Sequence, residues 1–251
     1  MGRPLGIAVA QPRCIAYDVL VNAEAHAAAV RAADARVVVF PELSLTGYEL
    51  DALPVAPDDE RLIPIVNACA DTGALALVGA PVPGPGIGVL AVDGEGARVA
   101  YRKVHLHGRE ALHFVPGEPA VIDVDGWRLG LAVCRDTGVP EHAAQTAALG
   151  IDGYVAGVVH AEDEAELHGE RARRVAADHG IWVATAAFAG PTGGRFARTS
   201  GRSGIWSAAG ELVAEASAAP DDVARTVFCR AGTGPLSRAG VSVGRGTPGT
   251  S

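Results

Sequence analysis

Gly130-Leu131-Ala132-Val133-Cys134-Arg135-Asp136-Thr137-Gly138-Val139-Pro140-Glu141 decides how the rest of the chain is read. With Trp127-Arg128-Leu129 before it, the apolar first half predicts a buried strand over Trp127–Cys134. Asp136-Thr137-Gly138 reads as a sharp turn. Pro140 then suits the first turn of a helix running to Leu149. A rigid scaffold places reactive groups where a strand ends beside a loop. A thiol at such a strand–turn–helix junction resembles a nucleophile elbow, with the helix dipole favouring the thiolate.

Outward from this segment, short β-rich runs alternate with Ala-rich helical runs. Leu5–Ala10, Val37–Phe40, Ala74–Gly79, Gly153–Val159 and Ile181–Phe188 read as buried strands. Gly88–Val92 and Arg98–Lys103 form a predicted hairpin across Asp93-Gly94. Val19–Ala33, Arg61–Asp71 and Glu162–Asp178 read as helices, the last two closed by Gly73 and Gly180. Gly204–Ser207, Glu211–Glu215 and Val223–Phe228 complete the strands. Strands outnumber helices, which fits an α/β protein of two packed sheets with helices outside. The 251 residues suit one domain, expected over residues 1–229. The Gly/Ser/Thr/Pro-rich stretch 230–251 reads as a mobile tail or an arm laid on a partner. Apolar residues make up 49% but aromatics only 5%, so Ala, Val, Leu and Gly must build thin, closely spaced layers.

The net charge of −8 and pI near 5.5 argue against a nucleic-acid surface. Arg171, Arg173 and Arg174 are expected on a solvated helix face. Met1-Gly2-Arg3-Pro4 leads straight into a strand, so no secretory leader is expected. No run is apolar and long enough to span a bilayer. The cysteines, at 14, 69, 134 and 229, form no CxxC pair, which points to the cytoplasm and free thiols.

Three segments share one grammar, an apolar strand running into a polar residue: Val37–Glu42, Val99–Lys103 and Leu129–Cys134. A carboxylate, an ammonium and a thiol suffice for acyl transfer without a metal or cofactor. A thiol near neutrality needs a base to take its proton, and Glu42 could serve if burial raises its pKa. Lys103 would hold a developing oxyanion, with the Arg135 amide as a second donor. Singly, each has an ordinary reading: core packing for Cys134, a surface carboxylate for Glu42, a solvated ammonium for Lys103. Their joint occurrence carries the weight.

The flanks of these residues carry a resemblance. Phe40-Pro41-Glu42-Leu43-Ser44-Leu45-Thr46-Gly47-Tyr48, then Tyr101–Glu110 (YRKVHLHGRE), then the segment around Cys134 resemble the three signature segments of the nitrilase superfamily of carbon–nitrogen hydrolases. LGIAVAQ at 5–11, Asn22 in the first helix, FVPGE at 114–118 and GRSGIWSAAGELVAE at 201–215 follow in the family's order. The resemblance spans roughly residues 5 to 228 and implies a four-layer α-β-β-α sandwich, commonly dimeric through its helical faces. It implies a catalytic Glu42–Lys103–Cys134 triad, and substrate positioning by Glu110. Arg135 stands where the family often has an aromatic, and ATAAFAG at 184–190 lacks an asparagine common there. Tyr48, Arg135 and His160 are candidate pocket residues. An arginine reaching the pocket, from Arg135 or from the 195–198 loop, would point to a substrate carboxylate.

The expected activity is hydrolysis of a small amide or N-carbamoyl compound through a Cys134 thioester. A nitrile, through a thioimidate, is the alternative. A metallohydrolase built on His105-Leu106-His107, with Glu110 or His113, is a rival reading, as is a non-catalytic interaction module.

Overall fold

Leu5, Ile7 and Val9 pack to one side of the first strand while Ala8 and Ala10 pack to the other, and both sides are buried. That two-sided burial recurs along the central strands and dictates the layers. The computed structural model describes residues 3–194 and 196–230. Arg195 and the expected tail from residue 231 onward lie outside the described residues.

The elements, in chain order, are β1 (Leu5–Gln11), α1 (Val19–Ala33), β2 (Val37–Val39), α2 (Ile63–Thr72), β3 (Leu75–Val82), β4 (Gly86–Asp93), β5 (Gly96–Arg102), β6 (Val121–Val124), β7 (Trp127–Val133), α3 (Pro140–Ala148), β8 (Gly153–Val158), α4 (Ala165–His179), β9 (Trp182–Ala187), β10 (Gly204–Trp206), β11 (Leu212–Glu215) and β12 (Asp222–Phe228). They form two six-stranded sheets, β12-β1-β2-β3-β4-β5 and β11-β10-β9-β8-β7-β6. Each has a parallel centre, β1-β2-β3 or β7-β8-β9, with antiparallel strands outside it.

The inner faces meet in one core, where Val37, Val39 and Leu77 of the first sheet share a cluster with Leu129, Leu131, Val133 and Val155 of the second. The outer face of the first sheet packs on α1 and α2, through Ala23, Ala27, Ile65 and Ala68. The outer face of the second packs on the other two helices, through Ala143, Ala172, Val175 and Ala176. The architecture is the α-β-β-α sandwich expected, and alanine on the helix faces lets the layers approach closely.

The expected α1 coincides with the helix observed, capped by Asp18, whose carboxylate accepts the Val21 N–H at 3.1 Å. The expected helices at 61 and 162 open as 3-10 turns, Glu60–Leu62 and Glu162–Glu164, before becoming α-helical. β6 was not anticipated; four residues ending in an Asp125-Gly126 turn give too short a pattern. The expected solvated face of α4 is corrected in part. Arg173 is exposed, but Arg171 and Arg174 are half-buried, because α4 lies over the turn that follows β7. There Arg174 donates to the Thr137 carbonyl at 2.8 Å.

Candidate active site

β2 and β5 run in the same direction, because β4 is antiparallel to both β3 and β5 while β2 is parallel to β3. Their C-terminal ends therefore lie on one edge of the first sheet, and Glu42 and Lys103 follow them. The two side chains meet with no solvent exposure, Lys103 Nζ donating to Glu42 Oε1 at 2.7 Å. A second carboxylate shares the ammonium, with Lys103 Nζ 2.8 Å from Glu110 Oε1. Glu110 sits in a 3-10 turn, Gly108–Leu112, where its Oε2 accepts the His107 N–H at 2.8 Å. The Tyr48 hydroxyl donates to Glu110 Oε1 at 2.5 Å. Glu42, Lys103, Glu110 and Tyr48 thus form one connected group.

The loop carrying Glu42 is held on three sides. Asn22 of α1 donates to the Leu45 carbonyl at 2.9 Å, and His26 Nε2 stands 2.8 Å from Ser44 Oγ. Gly79 of β3 and Gly157 of β8 press on it from opposite sheets. A Cβ at Gly79 would lie 2.5 Å from Leu43 N, and one at Gly157 would lie 2.5 Å from the Phe40 carbonyl oxygen. Any side chain at either place would push the loop away.

Cys134 begins a 3-10 turn, Cys134–Gly138, at the end of β7, and adopts φ +43°, a left-handed conformation that a non-glycine residue rarely takes. The anticipated elbow is present, but this turn stands between the thiol and the first residue of α3. Backbone strain at one residue persists only where its surroundings hold it. Here Thr137 Oγ1 donates to the Cys134 carbonyl at 2.7 Å, and the Val133 N–H donates to Asp136 Oδ2 at 3.0 Å. The Cys134 thiol lies 3.4 Å from the Val159 carbonyl oxygen. Tyr48 and Cys134 pack against Val159, Phe188 and Phe196, giving the thiol an apolar wall.

The thiol and the charged group lie within electrostatic reach of each other. Burial, reinforced by Glu42, pushes the Cys134 thiol up to about 12, with Lys103 pulling the other way. Burial likewise pushes Glu42 up to about 7, against the pull of Lys103 and with a push from Glu110. Burial works to discharge Lys103, but Glu42, Cys134 and Glu110 outweigh it and hold the ammonium charged. Among the described residues, Glu42 Oε2 is buried without a hydrogen-bond partner.

A cavity of about 600 Å³ opens beside Tyr48, lined among others by Tyr17, Glu49, Asp51, His107, Arg109 and His113. Among the described residues, Arg109 is the arginine on its lining, while Arg195 lies outside them. Arg135 is exposed, and Arg198 is paired with Glu162 at 3.1 Å. Arg109 lay unread within the lysine segment, since nothing in its pattern separates a cavity wall from a surface turn. His160 follows β8, buried, with Nε2 3.3 Å from Arg171 Nη1 and its ring stacked 5.8 Å from that of His168. The His105/His107 pair diverges: the His105 ring turns 3.1 Å from Asp136 Oδ1, while His107 lines the cavity. Among the described residues no three His, Cys, Asp or Glu side chains are grouped to hold a metal ion. No helix among them is long and apolar enough to cross a membrane.

The carbon–nitrogen hydrolase family model matches residues 6–227. A protein described as a hydrolase in the pqqF 5' region, from Pseudomonas protegens, is 34% identical over 140 residues, 51% of this chain and 49% of that one. A nitrilase of Pyrococcus abyssi is 30% identical over 130 residues, 47% of this chain and 50% of that one. These matches span about half the length of each relative. Among solved structures, an amidase from Nesterenkonia sp. superposes with a TM-score of 0.78 at 27% identity, over 89% of this chain and 90% of that one. A mutant of that amidase carries the product of Michael addition of acrylamide at its active-site cysteine. Nit3 of Saccharomyces cerevisiae shares the fold, with a TM-score of 0.77 at 21% identity over 90% of both chains.

Proposed function

The chain belongs to the carbon–nitrogen hydrolase family, and from that premise we propose that it hydrolyses the non-peptide C–N bond of a small amide or N-carbamoyl compound through a thioester on Cys134. The observation that carries this reading is the free oxygen of Glu42. One carboxylate oxygen is held by Lys103, and the other is buried with no partner among the described residues, in a group whose charges bear on the thiol. Such an oxygen is suited to take a proton.

In the first half-reaction Glu42 Oε2 accepts the thiol proton as sulfur bonds to the amide carbon. Lys103 and the Arg135 amide stabilise the oxyanion. Glu42 returns the proton to the departing nitrogen, ammonia or an amine leaves, and the thioester remains. Water then gives a proton to Glu42 and its hydroxide to the acyl carbon. The C–S bond breaks and the thiol is restored. Glu110, fixed by Tyr48 and the His107 amide, keeps Lys103 in place and offers the substrate amide an acceptor. The apolar wall of Tyr48, Val159, Phe188 and Phe196 suits a small acyl group. The working form is read as a cytoplasmic homodimer needing neither metal nor cofactor.

The test is a screen of small amides, N-carbamoyl compounds and nitriles that follows ammonia release, run on the native chain and on Cys134→Ala. Turnover of an amide or N-carbamoyl compound, lost in the variant with the fold retained, is the expected result. Undiminished turnover by Cys134→Ala overturns the reading. Turnover of nitriles alone replaces the thioester with a thioimidate.

A further inference from the structure

Tyr101 and His105 lie two residues to either side of Lys103, and both reach the same carboxylate, that of Asp136, two residues beyond Cys134. Asp136 has no solvent exposure. Its Oδ1 accepts the His105 backbone N–H at 2.8 Å and stands 3.1 Å from His105 Nδ1. Its Oδ2 accepts the Tyr101 hydroxyl at 2.6 Å and the Val133 N–H at 3.0 Å.

The chain of bonds continues away from the site. The Tyr101 oxygen is 2.9 Å from His142 Nε2, and His142 Nδ1 is 2.9 Å from the Tyr154 hydroxyl. One proton assignment satisfies every member. Tyr101 donates to Asp136, so it accepts from His142 Nε2–H, and Nδ1 accepts from Tyr154. Burial holds His142 below its ordinary range, so the imidazole is neutral, as this assignment requires. From the turn after β7, Asp136 therefore gathers bonds from β5, from the segment beyond it and from the last residue of β7, with α3 and β8 behind them. The groups facing it are Tyr101, His105, His142 and Tyr154, while Arg174 of α4 holds the far side of the same turn through the Thr137 carbonyl.

We propose that Asp136 is a positioning residue that fixes the Cys134 turn against the Lys103 segment, with Tyr101 and His142 holding it in place. The proposal rests on the reading of Cys134 as nucleophile. The left-handed turn at Cys134 needs external restraint, and Lys103 follows a strand of the opposite sheet. Asp136 bonds the backbone of the first directly and reaches the second from both flanks. Its charge also bears on Glu42, favouring the protonated carboxyl.

The experiment uses the intact chain with Asp136→Asn and with Tyr101→Phe, following turnover of an amide found by the screen. It also follows the pH dependence of Cys134 alkylation by iodoacetamide, read on the Cys134 peptide by mass spectrometry, which needs no knowledge of the substrate. For Asp136→Asn, kcat should fall about tenfold to a hundredfold with KM nearly unchanged. Alkylation should slow with it, and the acid limb should move to lower pH as Glu42 ionises more readily. Tyr101→Phe should show a smaller loss of both rates and no movement of the limb. Folded variants whose kcat and alkylation profile match the native chain overturn the proposal, even if their melting temperatures fall. Should Asp136→Asn not fold, unchanged alkylation in Tyr101→Phe overturns it alone. Turnover that survives Cys134→Ala would instead remove the nucleophile on which the proposal rests.

Discussion

Glu42 serves two partners with one carboxyl group: it neutralises Lys103 through one oxygen and keeps the other free. Burial pushes both Glu42 and Cys134 up, so the resting site holds a protonated thiol rather than a standing thiolate. In the proposed reaction the proton must therefore move as sulfur attacks, which would make Glu42 indispensable as base. Glu42 lies near 7, and only its ionised form can accept a proton. Activity should therefore rise as pH rises through neutrality, and should fall about tenfold per unit well below it. Glu42→Gln should lower kcat by roughly 10²-fold to 10⁴-fold and abolish that limb. A pH–rate profile that keeps its acid limb in this variant would contradict the assignment. At this scale the sequence was informative, because each polar residue stood where an apolar strand stops. Beyond the grouping that the family resemblance implied, it hid the partners whose contact depends on chain folding. Tyr48 meeting Glu110 spans 62 positions, and no local pattern marks such a pair.

Among the elements, the strand ends do the placing and the small residues do the spacing. Gly79 and Gly157 sit in strands, where glycine is otherwise a weak choice, and both abut the backbone of the Glu42 loop. Gly79→Ala and Gly157→Ala should each cost about 1–3 kcal/mol through overpacking and should also depress turnover by displacing Glu42. Gly169→Ala in α4 is the matched control. Its Cβ would come no nearer than 3.6 Å to Trp206, so stability should hold or improve. Thermal melts of the three variants check this, and equal midpoints would refute the packing account. The helices and central strands were readable because their apolar periodicity is long. β6 and the 3-10 turn at Glu110 were not, being short and shaped by what they pack against. The network around Asp136 was hidden for a similar reason, since it joins Tyr101, His142 and Tyr154 only once both sheets are in place.

For the whole molecule, two-sided strands in the sequence implied covered sheets, and the family resemblance supplied the pairing of the layers. The buried titratable groups were not legible there, and they set how stability responds to acid. Burial lowers His26 to about 4, His160 to about 3 and His168 to about 4, and lowers His142 as well. In the unfolded chain these imidazoles take up protons near pH 6.5. Below that pH the unfolded state binds more protons, so stability should fall as pH falls from about 6.5 toward 4. Each group wholly inside that window contributes about 1.4 kcal/mol per pH unit. Glu42 acts in the opposite sense, since its raised pKa makes the folded state the better proton binder between its ordinary value and about 7. The histidines outnumber it, so urea midpoints should drop between pH 7 and 5; a flat profile would refute this. The grip of Gly79 and Gly157 on the Glu42 loop has a bearing on the life of the molecule. Because the loop is clasped from opposite sheets, a chain with only one sheet formed has no seat for Glu42, the proposed base. If the proposed amide hydrolysis holds, a newly made polypeptide would pass through no stage with a half-competent site able to act on bystander amides. Onset of ammonia release would then time the last step of maturation, the closing of one sheet upon the other.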